Sequence, residues 1–192
     1  KDDFLQQLQE FLAQHKGENW CVSAIDIEHF KLYTELYGAQ QAHSLMLSLT
    51  ALLLEHSKAT GSPVGYFGND DFVLCLPDDK EQQLAIISQM QTCVNDHRQD
   101  VTSFLSFGVC PVAEHPDADA QTLCSYAQIA SVDPSPAVGG VHRFTPAMLS
   151  RLKKQRQLLS ELERALKNHE FCFFLQPKCN SMTRAIVGME AL

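Results

Sequence analysis

The sequence lacks the features that mark several large classes of protein. Its 15 basic residues are outnumbered by 23 acidic ones, which gives a formal net charge of -8. Nucleic-acid binding needs clustered Lys and Arg, and the basic group at 151–156 lies among glutamates on a predicted helix, so no nucleic-acid partner is expected. None of the seven cysteines forms a CxxC and the eight histidines are scattered, so no zinc site is expected.

Long apolar stretches and a signal peptide are absent as well. The most apolar window, residues 45–54, is interrupted by Ser48 and Thr50 and is too short to cross a bilayer. We therefore expect a cytoplasmic segment without membrane contact, and any membrane anchor of the parent protein would lie outside it. Cys21, Cys75 and Cys110 fall in apolar runs, which is typical of reduced, buried thiols.

Apolar periodicity divides residues 1–145 into alternating helices and strands. After an opening helix, the order βααββαβαβ contains the split βαββαβ pattern, which predicts an α+β fold with helices on one face of a sheet. The predicted elements are a helix that ends near Gly17, a strand over 20–27, helices over 30–37 and 40–58, strands over 64–67 and 72–76, a helix capped by Asp78 or Asp79 that runs to His97, a strand over 103–109, a helix over 120–130 and a strand over 141–144.

A second helix-rich segment follows residue 145. Thr145 and Pro146 are typical of a helix start, and the helix is predicted to run to Asn168. Met148, Leu152, Leu159, Leu162 and Leu166 follow 4-3-4 spacing, with Gln155 in the remaining position. The helix either packs on its own domain or forms a short coiled coil that makes a homodimer through residues 146–168. Strands over 171–175 and 185–189 complete the prediction, and the expected domains are 1–145, 146–169 and 170–192.

Two carboxylate-bearing turns are the candidates for chemistry. Asp26 ends the first strand, and Asp70 and Asp71 lie in the predicted hairpin turn. Because these strand ends can be neighbours in a βαββαβ sheet, the acids could hold Mg²⁺ and present it to a nucleoside triphosphate. The alternative is that aspartates occur in turns only because they tolerate turn geometry.

Four motifs resemble those of GGDEF-type (diguanylate-cyclase-like) domains, and they occur in the order of that family. Residues 26–31 resemble D-[LI]-D-x-F-K, residues 37–38 fall where the family has an aromatic-Gly-His, residues 66–72 resemble R-Y-G-G-[DE]-E-F, and residues 105–109 resemble V-S-I-G-[VI]. The resemblance implies the nucleotide-cyclase-like fold. Active members of the family condense two GTP molecules into cyclic di-GMP, with one GTP per domain across a dimer.

The resemblance also assigns site residues. It implies a weak or vestigial Mg²⁺ site at Asp26, the Ile27 carbonyl and Asp70. It implies nucleotide contacts at Lys31 and Asn69. Asp70 and Asp71 are then vestiges of the catalytic motif, and Mg²⁺ is expected only if a nucleotide binds.

The sequence departs from the family pattern at the positions that recognise substrate. Thr34 and His43 stand where the family has the Asn and Asp that read guanine. Asn69 replaces a glycine that lets the substrate approach the backbone, and Tyr66 replaces an arginine. Residues 131–140 hold neither the Lys nor the Arg that the family places after its fourth helix, and residues 59–62 lack its R-x-x-D product-inhibition motif. We therefore expect impaired cyclase activity.

The last residues resemble the opening of EAL-type domains, which hydrolyse cyclic di-GMP. Residues 173–177 and 186–192 match the Y-Q-P and I-x-G-x-E-A-L segments, so Glu190 corresponds to one metal ligand of an incomplete site. The expected function is a non-catalytic regulatory module that modulates an attached EAL domain. Two alternatives are a GTP/Mg²⁺-binding allosteric sensor that activates the EAL phosphodiesterase and a weak diguanylate cyclase. GTP or cyclic di-GMP are the expected small-molecule partners.

Overall fold

The structure, a computed structural model, describes residues 2–68, 70–97, 105–134 and 141–192. The chain divides into a first unit, Lys1–Leu149, and a second unit, Ser150–Leu192. The elements of the first unit confirm the predicted order, with an additional 3-10 turn. They are α1 (Asp2–Gln14), β1 (Trp20–Ile27), α2 (Phe30–Tyr37), α3 (Ala39–Thr60), β2 (Val64–Gly68), β3 (Asp71–Pro77), α4 (Lys80–Asp96), β4 (Leu105–Pro111), a 3-10 turn (Val112–Glu114), α5 (Ala120–Ser131), β5 (Val141–Arg143) and the start of α6 (Pro146–Lys167).

The described strands of the first unit form one sheet in the order β2-β3-β1-β4-β5. β1 lies in the centre and pairs antiparallel with β3 and β4, and β5 pairs parallel with β4. The predicted strand over 103–109 corresponds to β4, which begins at Leu105; residues 103 and 104 lie outside the described residues. The α+β fold class is confirmed.

The prediction of helices on one face only is wrong, because β1 buries both of its faces. Ile25 and Ile27 pack with α2, α3 and α4, whereas Val22 and Ala24 pack with α1 and α5. The polar Ser23 is fully buried as well. A near-continuous apolar run such as Trp20–Ile27 is typical of a strand that is covered on both faces.

Side chains and glycines fix the helix ends close to where the sequence predicts them. The Asp79 carboxylate accepts a 2.9 Å hydrogen bond from the backbone N–H of Gln82, which confirms a cap at the start of α4. Asp119 caps α5 in the same way through Thr122. Gly61 ends α3 in the left-handed conformation, with its N–H donating to the Ser57 carbonyl.

Helix α5 crosses β4 at very close range, and Gly108 makes this contact possible. A Cβ atom at Gly108 would lie 2.1 Å from the Ala127 carbonyl oxygen and 2.2 Å from the Ser131 nitrogen. These are backbone atoms, so the side chain could enter only if the helix moved. The glycine of the predicted 105–109 motif therefore sets the distance between α5 and the sheet.

The second unit contains most of α6 and a hairpin of β6 (Leu175–Cys179) and β7 (Ile186–Ala191). The prediction of a strand over 171–175 is wrong. The hairpin register is set by its turn, where the Asn180 side chain accepts hydrogen bonds from the N–H groups of Met182 and Thr183. Pairing therefore extends back from Asn180 and places the strand over 175–179. No helix among the described residues is both long and apolar enough to cross a membrane.

Candidate functional site

Three aspartates lie together where β1 ends beside the β2–β3 turn, and we call them the acidic edge: Asp26, Asp70 and Asp71. The register pairs Ile25 with Phe72, so the end of β1 and the hairpin turn are neighbours. The electrostatic interactions of Asp26 with Asp70 and Asp71 follow from this arrangement. The sequence-based expectation that the two carboxylate-bearing turns lie side by side is confirmed.

The carboxylates of the acidic edge oppose one another's ionisation. Partial burial, followed by repulsion from Asp70, Asp71 and Glu28, raises the pKa of Asp26 from 3.8 to about 6. Burial and the Asp71 charge raise the pKa of Asp70, against the lowering effect of backbone N–H donors. Burial also raises the pKa of Asp71. Such a concentration of carboxylate oxygens suits a hard divalent cation.

The backbone of Ile27 belongs to the same group of atoms. Its hydrogen bond to the Asp70 carboxylate holds that side chain against the end of β1. Among the described residues, no set of three or more His, Cys, Asp or Glu side chains has a metal-holding arrangement. A cation at the acidic edge would therefore need the Ile27 carbonyl and oxygens from water or a phosphate, which is the usual way in which proteins bind Mg²⁺.

The positions that would contact a nucleobase carry little recognition chemistry. The Thr34 hydroxyl donates a 3.0 Å hydrogen bond to the Phe30 carbonyl of its own helix, so its proton is already engaged. His43 is exposed near the start of α3, and Lys31 is exposed in the first turn of α2. Asn69 lies outside the described residues.

A serine contact beside the acidic edge was not predicted from the sequence. Ser106 is directly opposite Asp26 in the β1–β4 register, and its hydroxyl donates to the Ser131 carbonyl at the end of α5. This bond fixes the helix end that precedes the segment where the family carries its phosphate-binding cations. Ser131 and Asp133 are buried, whereas residues 135–140 lie outside the described residues. In the sequence, the signal for this contact was the polar Ser106 within an otherwise apolar predicted strand.

At the C-terminal end of α3, the polar side chains of residues 59–62 form hydrogen bonds with one another and with the backbone. The Thr60 and Ser62 hydroxyls are 2.7 Å apart, and the Ser57 hydroxyl donates to the Ser62 carbonyl. Ser62 is fully buried. These side chains satisfy one another and offer no charged contact where the resemblance would require Arg and Asp.

Glu190, the residue predicted as one metal ligand of an incomplete site, lies on β7 opposite Gln176. Its carboxylate forms a 3.0 Å ion pair with Lys178, and both side chains are half-exposed. The three cysteines of the first unit that were predicted to be buried are buried, and burial raises the pKa of Cys21 and of Cys110 to about 12. These thiols are therefore poor nucleophiles.

Comparison with known families identifies the first unit. The family described as "Diguanylate cyclase, GGDEF domain" matches residues 1–133, so this chain belongs to the GGDEF family. Its fold is that of a GGDEF domain, which places the chain in a signalling protein related to cyclic di-GMP.

Three individual proteins illustrate the similarity. An uncharacterized signaling protein from Caulobacter vibrioides is 25% identical over 190 residues, which cover 94% of this chain and 23% of the relative. The chain thus spans about a quarter of that relative's length. The GGDEF domain of YfiN (TpbB) from Pseudomonas aeruginosa superimposes with a TM-score of 0.60 at 19% identity and covers 80% of this chain and 94% of that one. The GGDEF domain of DgcB from Caulobacter crescentus, solved in complex with c-di-GMP, gives a TM-score of 0.59 at 15% identity and covers 74% and 88%.

Proposed function

We propose that this chain is a non-catalytic regulatory module of a GGDEF–EAL cyclic di-GMP signalling protein, in which it modulates an attached EAL-type domain. The observation that carries the proposal is the contrast within one site. The acidic edge is assembled, whereas the base-reading positions hold Thr34, whose hydroxyl is bonded to its own helix, and the exposed His43.

The losses at this site are large enough to reduce turnover by orders of magnitude. A hydrogen bond to a charged group contributes about 1.5–3 kcal/mol, and the guanine-reading carboxylate and the motif arginine are both replaced in this sequence. Two such losses together correspond to a reduction of about two to four orders of magnitude in GTP affinity or rate.

Two features support the attachment of an EAL-type domain. Phe173, Phe174, Val187 and Met189 are each more than half exposed on a two-stranded hairpin, which is marginally stable alone and needs further strands or helices to cover it. The similarity to the Caulobacter vibrioides relative also extends over more of this chain than residues 1–133. The match of residues 173–177 and 186–192 to the EAL opening agrees with both.

A direct assay of cyclic di-GMP synthesis tests the loss of catalysis. Incubation of the purified chain with GTP and Mg²⁺ is expected to yield no cyclic di-GMP, with a cooperative thermal transition as the control for folding. Steady formation of cyclic di-GMP that disappears in an Asp70→Ala variant would contradict the proposal and establish a weak cyclase.

The acidic edge favours a second candidate, a GTP/Mg²⁺ sensor that activates the EAL domain. Titration of the chain with GTP in the presence of Mg²⁺ by calorimetry would show saturable binding in this case. Asp70→Ala is expected to remove the binding, and Asp117→Asn, at an exposed carboxyl in the turn before α5, is expected to retain it. Absence of a binding heat for the wild-type chain would exclude the sensor and favour the purely structural module.

A further inference from the structure

The middle and C-terminal turns of α6 expose a row of leucines. Leu159, Leu162 and Leu166 are 70%, 42% and 57% exposed, and Leu158 beside them is 59% exposed. Leu152, one heptad before Leu159, is partly buried within its own chain. Exposure of several large apolar side chains on one helix marks an interaction surface.

The spacing of these leucines defines a heptad register. Leu152, Leu159 and Leu166 occupy a positions, and Gln155 and Leu162 occupy d positions. The flanking e positions are then Arg156 and Glu163, and the flanking g positions are Arg151, Leu158 and Ala165. Residues at e and g positions meet across a coiled coil, and their charges select the orientation of the partner helix.

A parallel pairing with a second copy brings like charges together. In that orientation a g residue faces the e residue five positions later on the other helix, so Arg151 faces Arg156 of the second copy, twice by symmetry. Leu158 would face the charged Glu163 of the second copy. Neither contact is favourable.

An antiparallel pairing makes both flanks complementary. When Leu159 packs against Leu162 of the second copy, the e positions place Arg156 beside Glu163 of the second copy, again twice. On the other flank Leu158 meets Ala165 of the second copy, which is an apolar contact. The accessible leucines cluster at the C-terminal part of α6, which is where this overlap is centred.

We infer that α6 is a self-recognition surface whose partner is a second copy of this chain in antiparallel orientation. The inference deepens the expectation of a homodimer through residues 146–168. It does not depend on whether the GGDEF site binds GTP. Glu163 already forms a 2.8 Å ion pair with Lys167 of its own helix. Both side chains are more than 70% exposed, so the carboxylate can accept a second cation.

A single charge reversal distinguishes the two orientations, because its effect has opposite signs. Arg156→Glu places two glutamates together in the antiparallel pair, so the dimer of residues 1–192 is expected to dissociate about tenfold more readily in sedimentation equilibrium at low salt. In a parallel pair the same variant would relieve the Arg151 repulsion and tighten the dimer. Arg156→Glu combined with Glu163→Arg is expected to restore the wild-type constant.

The matched control is Arg164→Glu, which makes the same change in charge at an outward-facing position. It is expected to shift the constant by less than about threefold. Tightening by Arg156→Glu would overturn the antiparallel orientation. A wild type that stays monomeric in sedimentation, or a dimer unaffected by Leu159→Glu, would overturn self-recognition through α6 altogether.

Cysteine cross-linking provides a second readout in a background with Cys172 and Cys179 replaced by serine. A mixture of Gln155→Cys and Leu166→Cys variants, one carrying a size tag, is expected to form the mixed disulfide. Predominant pairing of each variant with itself would overturn the antiparallel arrangement.

Discussion

Replacement of Asp26 by asparagine is expected to stabilise the metal-free protein at neutral pH. The folded state raises the pKa of this carboxyl from 3.8 to about 6 through burial and through repulsion by Asp70, Asp71 and Glu28. Folding therefore favours the protonated form. The contribution of Asp26 to stability is greatest below pH about 4 and is lost as the pH rises to about 6.

The magnitude follows from the same values. A rise from 3.8 to about 6 corresponds to about 3 kcal/mol at 1.36 kcal/mol per unit. Because Asp26 is only partly buried, solvent screening reduces the expected effect to about 1–1.5 kcal/mol. Asp26→Asn should therefore unfold at a higher urea concentration than the wild type at pH about 7.5, and the difference should shrink towards pH about 4.5.

The assay is urea denaturation of both proteins across this pH range in the presence of EDTA. The difference between the two curves isolates Asp26 together with its coupling to Asp70, Asp71 and Glu28, because the titration of more distant groups is common to both. Asp117→Asn, at an exposed carboxyl outside the acidic edge, is the control and should show no such trend. An Asp26→Asn variant that is less stable than the wild type at pH about 7.5, or a difference independent of pH, would refute the reasoning.

Three further substitutions test the fold by the same denaturation assay. Gly108→Ala is expected to lower the free energy of unfolding by about 3 kcal/mol, because its Cβ would meet the backbone of α5. The control Gly188→Ala lies in open space and should lower it by less than about 1 kcal/mol. Equal losses in the two variants would contradict the close crossing of α5 and β4. Asp79→Ala should remove about 1 kcal/mol through loss of the α4 cap, and an unchanged midpoint would show that the cap contributes nothing. Arg143→Ala removes the bidentate pair with Asp78 and the contact with Glu114. The loss of stability should be about 0.5–1 kcal/mol and smaller at high salt. A loss that does not depend on salt would indicate that Arg143 acts through packing instead.

Local patterns were sufficient to predict most elements of the first unit. The bounds of β1 and α2 match the prediction to the residue, because an apolar run that ends in acids and a helix that ends at Gly38 are marked by their own side chains. The position of Asp26 beside the hairpin turn also follows from the order of the strands in the sheet. These features depend on residues that are close in sequence or on a known topology.

Features that depend on contacts between distant elements were beyond the sequence pattern. Gly108 is defined by the backbone of α5, and the Ser106–Ser131 bond joins residues 25 positions apart. The strand predicted over 171–175 was misplaced because its register is set by the Asn180 turn rather than by the apolar run. The sequence predicts only that Thr34 lacks the guanine contact, and the structure adds that its hydroxyl donates to the Phe30 carbonyl.

Turn propensity explains two of the three aspartates at the acidic edge and does not explain the third. Asp70 and Asp71 lie at a hairpin turn, where aspartate is common for geometric reasons. Asp26 lies inside the central strand between two buried isoleucines and opposite Ser106, where aspartate is disfavoured and where its charge destabilises the folded state. A site kept only as scaffold would be more stable with an uncharged residue there. A cation would reverse the effect, because it would stabilise the ionised form of all three carboxyls. Saturating Mg²⁺ should therefore raise the stability of the wild type and leave Asp26→Asn unchanged, whereas equal responses would favour the purely structural module.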